Sequence, residues 1–307
     1  MIVKSRNGLK QAKRQNELKA YSFIILQIIG FLVFSIYPIF WVFRYGFYDY
    51  DGVTATFIGW DNFIRAFEDT QYWRSLINTF IIAYGKLLVE IPLAFMVALG
   101  LTSVYTKFKR FFMVGFYLPK ITGIAVNCMI FTFMFATFNG PINNILMNVG
   151  IIDAPINWLG TVGGSFVVIM LRSVWVGFCV NTLYFMAGIS GVPTDCVEAA
   201  KIDGAKAHHI FFKITIPMLA PVLKTIIMLA MVNGIKMYQD VMLLTNGGPG
   251  GKTNVVMLYI YQLFMQSSNG EPQLGYASAL GIITTIIIAI ITVIYFKLTK
   301  KADEVYE

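Results

Sequence analysis

The sequence predicts an all-α polytopic membrane protein with about six transmembrane helices and with both termini in the cytoplasm. Of the 307 residues 57% are hydrophobic and 13% are charged, and the mean hydropathy is +0.67. A soluble domain has no use for this much apolar surface, and long uncharged runs are typical of membrane spans. A closed β-barrel also satisfies its backbone in lipid, but these runs lack the two-residue alternation of barrel strands.

Six apolar runs are each longer than the roughly 20 residues that a helix needs to cross a bilayer. The predicted spans are residues 21–43, 75–102, 112–135, 165–189, 218–244 and 276–296. The first run is too long for the apolar core of a signal peptide and lacks a small-residue cleavage site, so we expect it to remain as a helix. The predicted organisation is a basic cytoplasmic tail at 1–20, a six-helix domain at 21–297 and a cytoplasmic tail at 298–307.

Basic residues set the orientation of these spans. Most of those outside the spans fall in the two tails and in alternate loops, and the remaining loops hold only Arg44, Arg65, Arg74 and Lys252. The positive-inside rule therefore places both termini in the cytoplasm. The net charge of +8 reflects this topology rather than nucleic-acid binding, because the basic residues are scattered among inner loops instead of forming one face.

The inner loop at 190–217 predicts a compact knob of two short helices. Thr194 or Asp195 can cap a helix over 197–202, Gly204 ends it, and a second helix over 205–214 leads to Pro217. Charged side chains form its rim and small or apolar ones a packing face: Glu198, Lys201, Asp203 and Lys206; Ala199, Ala200, Ile202, Ala205, Phe211 and Ile214. Such a knob can fit a groove on a soluble partner and move the adjoining spans. The alternative is a plain loop with an interfacial amphipathic helix.

The run EAAKIDGAKAHHIFFKITIPMLAP at 198–221 resembles the cytoplasmic signature loop of binding-protein-dependent ABC importer permeases. A second block, LTNGGPGGKT at 244–253, resembles a periplasmic loop of the carbohydrate-uptake subgroup, the maltose and glycerol-phosphate type. Shorter similarities occur at 59–63, 78–79, 119, 140–144 and 275–279, so the resemblance covers about residues 20 to 297. The chain lacks the large outer domain that the maltose-type subunit carries.

The resemblance implies a type I ABC importer-like bundle in the bacterial plasma (inner) membrane, whose inner loop forms coupling helices against an ATPase subunit. Glu198 would be the charged contact to the ATPase, Gly204 the bend, and Ala199 and Ala200 the close-packing face. The residues implied for coupling are Glu198, Ala199, Ala200, Asp203, Gly204 and Ala205. Those implied for the loop toward the binding protein are Gly247, Gly248 and Pro249.

The resemblance also implies the partners of this chain. They are a second, homologous permease that completes a heterodimer, two cytoplasmic nucleotide-binding ATPase subunits, and an extracytoplasmic solute-binding protein that delivers a carbohydrate. No cofactor is expected on this chain, because it has no phosphate-binding loop of the Gly-x-x-x-x-Gly-Lys-Ser/Thr type. ATP and Mg would be used by the partner subunits.

Ionisable residues within spans suggest a pathway, since each costs about 2.5–3.5 kcal/mol at mid-helix unless water or a partner is present. Two pairs lie four residues apart on one span, Lys86 with Glu90 and Lys236 with Asp240, and each pair could bridge within its own helix. Arg172 has no acidic partner on its own span and either reaches the interface or neutralises an acid elsewhere. Lys120 and Lys224 are expected near an interface. Structural pairing is the alternative to sugar contact for each of these charges.

Sugars require hydrogen-bonding groups beside aromatic faces, and the fourth and fifth spans offer both. The residues predicted for the substrate pathway are Asn233, Lys236, Tyr238, Gln239, Asp240, Arg172, Trp175, Asn181, Tyr184, Lys86 and Glu90. The fifth-span group ranks first because it leads into the Gly-Gly-Pro loop, whereas Trp175 and Tyr184 can equally be packing residues. Lys86, Arg172 and Lys236 would suit an acidic saccharide if they are unpaired.

The predicted function is therefore that of the membrane-spanning permease subunit of an ATP-driven sugar importer. The alternative is an ion-coupled secondary transporter of a small polar solute, but the paired interrupted helices of that class are not apparent. An intramembrane enzyme is disfavoured, because His208 and His209 are adjacent on the inner loop and form no metal or nucleophile motif. No catalytic or metal site is predicted. The three cysteines, two in spans and one inside, predict no disulfide.

Overall fold

A computed structural model describes Tyr21 and residues 24–103, 106–265 and 271–303; the basic tail at 1–20 lies outside this range. The predicted all-α membrane class is confirmed. The helices are α1 (Ile24–Tyr45), α2 (Asp61–Glu68), α3 (Thr70–Ser103), α4 (Thr106–Ile121), α5 (Ile124–Met134), α6 (Pro141–Asn148), α7 (Val162–Ser190), α8 (Thr194–Ile202), α9 (Ala207–Ile235), α10 (Gln239–Leu244), α11 (Val256–Met265) and α12 (Leu274–Asp303). The strands are β1 (Tyr48–Tyr50) and β2 (Ala55–Phe57).

Among the described residues, α1, α3, α7, α9 and α12 are each long and apolar enough to cross a membrane. The third predicted span, at 112–135, is present as a bent pair rather than one straight helix: α4 and α5 meet at 94°. The buried Asn127 amide fixes this bend by donating to the carbonyls of Pro119 at 2.9 Å and Thr122 at 3.1 Å. The bend places polar groups in the middle of what the sequence predicts as a continuous apolar run.

The fifth span differs from its predicted bounds of 218–244. The helix α9 begins at Ala207, continues through Pro217 and ends at Ile235, and α10 is a separate short helix. A wider π-helical turn at Phe211–Thr215 precedes Pro217. This turn accommodates the proline, which has no backbone N–H to donate. The two-helix knob predicted for the inner loop is therefore wrong in its second half, since 207–214 is the start of the span itself.

One compact unit comprises the described residues within 1–68 and 263–286. Its small core contains Phe63, Ala279 and Ile282, with Val42 and Phe47 packed against them. The strands form an antiparallel hairpin with Tyr48 opposite Phe57. The hairpin turn is closed by Asp51, whose carboxylate accepts hydrogen bonds from the backbone N–H groups of the residues two and three positions further on, and these bonds hold its pKa below the usual range.

The second unit comprises the described residues within 69–262 and 287–307 and contains the long α3–α7 pair. One core cluster lies between α3, α5, α7 and α10, with Ile82, Phe131, Val168 and Val241 buried at its centre. A second cluster joins α3, α7 and α9 through small and large side chains, including Ala94 and Ala98. Small residues let helices approach closely where the lipid supplies no hydrophobic drive for association. These contacts position the side chains described next.

Candidate substrate pathway and coupling loop

A cavity of about 640 Å³ opens between α3, α7, α9 and the α4–α5 bend, all within the second unit. All but one of the side chains predicted for the pathway line it: Lys86, Glu90, Arg172, Asn181, Tyr184, Asn233, Lys236, Tyr238, Gln239 and Asp240. These residues come from four helices and the turn between α9 and α10, and Lys86 and Asp240 are 154 positions apart in the chain, so their convergence is a property of the fold. The cavity is a polar chamber within otherwise apolar helices.

Trp175 is the exception among the predicted residues. Its ring lies 5.5 Å from that of Phe131, and it packs against both core clusters of the second unit. Of the two interpretations left open by the sequence, the packing role is the one that agrees with this position. Tyr184, for which the same choice was open, lies on the cavity wall and is 40% exposed.

The Glu90 carboxylate is the most enclosed charge in the cavity wall, at 3% exposure. Lys86 Nζ lies 4.0 Å from Glu90 Oε2, one helical turn earlier on α3. The Asn181 amide of α7 donates to Glu90 Oε1 at 2.5 Å. Gly177, on the facing turn of α7, leaves room for this carboxylate, since a Cβ there would lie 2.3 Å from Oε1. A glycine, a lysine and an amide together therefore accommodate one buried acid.

Arg172 and Asp240 form the second ion pair of the cavity, between α7 and the first turn of α10. Both are buried, at 4% and 7% exposure. The expectation that Lys236 and Asp240 pair along one helix is wrong, because α9 ends at Ile235 and the chain turns before α10 begins. Arg172 instead neutralises an acid on another element, which is one of the two alternatives that the sequence left open.

The Gly-Gly-Pro loop that follows α10 is held by polar side chains of α3. Asn78 Nδ2 donates to the carbonyls of Lys252 at 2.8 Å and Asn254 at 2.9 Å. Thr79 Oγ1 accepts from the Val256 N–H at 2.9 Å, where α11 begins. Gly247 has φ of +82°, a conformation that glycine adopts without strain. The loop containing Gly247, Gly248 and Pro249 is thus a fixed structure rather than a loose connection.

The inner loop consists of α8 and a Schellman-type end. The N–H of Ala205 bonds to the Ala200 carbonyl at 2.9 Å and that of Gly204 to the Lys201 carbonyl at 3.1 Å, with φ of +77° at Gly204. The predicted break at Gly204 is therefore confirmed. Glu198, Ala199 and Asp203 are exposed, Ala200 and Ala205 are half-buried, and Ile202 is 86% exposed. An isoleucine presented this fully is available for contact with another molecule.

Residues 90–303 match the family described as binding-protein-dependent transport system inner membrane component. The chain belongs to this family. It is therefore a multi-pass inner-membrane subunit of an ABC-type importer and not an enzyme. This membership supports the resemblance of the 198–221 run, which lies inside the matched region.

Curated relatives within the family cover nearly the whole chain. The probable ABC transporter permease protein YesP of Bacillus subtilis is 34% identical over 97% of this chain and 96% of its own length. The arabinooligosaccharides transport system permease protein AraP of the same organism is 31% identical over 96% of this chain and 92% of its own. The lactose transport system permease protein LacF of Rhizobium radiobacter is 28% identical over 98% and 99%.

The fold is shared with a solved importer. A chain of a bacterial ABC transporter for the acidic polysaccharide alginate superposes with a TM-score of 0.81, covering 94% of this chain and 96% of the other at 21% identity. A second structure of that transporter includes an alginate pentasaccharide-bound periplasmic protein and gives the same TM-score of 0.81. At this identity the similarity establishes the common fold.

Two residues that line the cavity are not predicted for the pathway from the sequence. Lys120 is expected near an interface, yet it lies on the cavity wall beside Thr122, because the α4–α5 bend turns this stretch inward. Ser173 also lines the cavity. A bend near Lys120 is indicated in the sequence by Pro119 and Gly123, since proline and glycine both interrupt helices.

Proposed function

We propose that this chain is the permease subunit of a carbohydrate importer and that the cavity forms its half of the substrate pathway. The relatives AraP and LacF are named for oligosaccharide and lactose transport. The cavity offers what a sugar needs, namely amides at Asn181, Asn233 and Gln239 next to the phenol rings of Tyr184 and Tyr238. Amides match hydroxyl groups as donors and acceptors, and rings pack on the apolar faces of sugars.

The pathway requires a second permease, which we propose to be a homologous chain facing the open side of the cavity. Two cytoplasmic ATPase subunits would use ATP and Mg, and an extracytoplasmic binding protein would deliver the sugar. The binding protein is proposed to contact the fixed loop at Gly247, Gly248 and Pro249. In this cycle the ATPases draw together on binding ATP, the inner loop moves with them, and the cavity opens outward to receive the sugar.

The inner loop is proposed as the contact with the ATPase. Glu198 would supply the charged contact, Ile202 the apolar one, and the small side chains of Ala199 and Ala200 would permit a close approach. The exposure of Ile202 carries this proposal, because an isoleucine in water gains about 1.5–3 kcal/mol when a partner covers it. The loop connects directly to α9, whose far end lines the cavity, so movement of the loop is transmitted along one helix.

Labelling of the native Cys196 tests the coupling proposal. This cysteine is exposed on α8, whereas Cys128 and Cys179 are buried. A maleimide that does not cross membranes should label Cys196 in inside-out vesicles but not in right-side-out vesicles, and the assembled ATPase subunits should protect it. The Cys196→Ser variant controls for labelling elsewhere. Labelling from the outer side, or equal labelling with and without the ATPases, would contradict the proposal.

The substrate class is tested through the binding protein. The importer, isolated with its binding protein from cells grown on mixed saccharides, should carry a bound saccharide that mass spectrometry identifies. An ion-coupled transporter of a small polar solute would yield no such protein and would continue uptake after the ATPase genes are removed. Asn233→Ala should reduce saccharide uptake without altering the amount of chain in the membrane, because this amide is exposed to the cavity.

A further inference from the structure

The charges in the cavity are not balanced. Four basic and two acidic side chains line it: Lys86, Lys120, Arg172, Lys236, Glu90 and Asp240. Both acids are already engaged, Glu90 by Lys86 and Asp240 by Arg172. Lys120 and Lys236 remain, and neither has a carboxylate within ion-pair distance among the residues that the structure describes. The cavity therefore has an excess of two positive charges.

The two lysines reach the cavity from different elements. Lys120 lies at the end of α4, just before the bend, and Lys236 lies at the end of α9, where the chain turns toward α10. Both side chains are exposed in the chain taken alone. Two ammonium groups at one cavity repel each other and give it a positive potential, which favours the entry of an anion. A neutral sugar offers hydroxyl groups only and would leave this charge uncompensated.

We propose that the saccharide carried through this cavity is acidic, and that Lys120 and Lys236 bind its carboxylate groups. This inference rests on the proposed carbohydrate function and narrows its substrate to uronate-containing oligosaccharides. The neighbouring amides of Asn233 and Gln239 would bind the hydroxyl groups, and Tyr184 would pack on a ring face. Lys86 and Arg172, which the sequence alone also offered as partners for an acidic sugar, are assigned to holding Glu90 and Asp240 in place.

The test uses the complete importer, with its partner permease, ATPases and binding protein, in proteoliposomes. Uptake is measured for a panel of uronate oligosaccharides and for the same oligosaccharides after chemical reduction of their carboxyl groups. The wild type should take up at least one acidic form about tenfold faster than its reduced form. The doubly substituted Lys120→Gln, Lys236→Gln importer should lose about tenfold of that acidic uptake, since a hydrogen bond to a charged group contributes substantially more than a neutral one.

Two control variants separate a lost contact from a misfolded chain. Lys120→Arg with Lys236→Arg keeps both charges and should retain acidic uptake within about threefold. Lys297→Gln removes an exposed lysine of α12 that does not line the cavity and should leave uptake of both forms unchanged. Equal loss in the arginine and glutamine variants would overturn the assignment of these lysines to carboxylate binding.

Other outcomes distinguish this inference from the function on which it rests. ATP-driven uptake of neutral saccharides without any acidic one would overturn the inference and leave the proposed function intact. An equal effect of the glutamine substitutions on acidic and reduced sugars would also overturn it, because it would show that the lysines pair with the second permease instead. Absence of ATP-driven uptake for every saccharide, acidic or neutral, would overturn the proposed function as well.

Discussion

Removing one partner of the Arg172–Asp240 pair should destabilise the chain far more than removing both. The two side chains are 4% and 7% exposed, so each single substitution leaves a charge buried without its counter-ion. Loss of one member of a buried pair costs about 3–5 kcal/mol, whereas an apolar pair of similar volume is often close to neutral. Arg172→Met and Asp240→Leu should each lower the free energy of unfolding by about 3 kcal/mol or more.

The double variant Arg172→Met, Asp240→Leu should recover most of that loss. Both singles and the double can be compared by titrating the full chain in detergent micelles with sodium dodecyl sulfate and following tryptophan fluorescence. Arg74→Met provides the matched control, because Arg74 is exposed and its loss should change stability by about 0.5 kcal/mol or less. Additive effects of the two singles, or a loss below about 1 kcal/mol for Arg172→Met, would refute the pairing.

The remaining predictions concern close contacts and turns. Asn78→Ala should speed hydrogen exchange in the Gly-Gly-Pro loop, because both hydrogen bonds from Asn78 to loop carbonyls are lost. Unchanged exchange there would show that Asn78 does not hold the loop. Gly234→Ala should lower stability by about 1–3 kcal/mol, since its Cβ would lie 2.6 Å from Ala83 Cβ, whereas Gly115→Ala meets open space and should be tolerated. Gly204→Ala should strain the inner loop by about 1–2 kcal/mol and weaken ATPase binding in a pull-down assay; full binding would argue against coupling there.

The sequence predicts the class of this fold because hydrophobic run length is a direct consequence of bilayer thickness. The break at Gly204 is also predictable, since the glycine signal is local. The 94° bend in the third span and the early start of α9 are not, because apolar composition is the same in a straight helix and a bent one. Both depend on how the backbone hydrogen bonds are rearranged around Pro119, Asn127 and Pro217.

The side chains that line the cavity are predictable from the sequence, whereas the ion pairs that they form are not. Charged and amide side chains inside spans are rare, and their presence predicts the residues that line a polar chamber. Which acid meets which base depends on the turn after Ile235, which separates Lys236 from Asp240 and brings Arg172 to the acid. Spacing along the chain favours the pairing of Lys236 with Asp240, which does not form. Two residues four positions apart face each other only where the helix continues between them.

Reconstituted transport is the measurement that tests the central claim most directly. The purified chain, assembled with a partner permease, ATPases and binding protein in proteoliposomes, should accumulate a saccharide when the ATPases are supplied with ATP and Mg, in the absence of any ion gradient. Accumulation that needs an ion gradient and continues without the ATPases would contradict the claim that this chain is a gate worked by a separate motor.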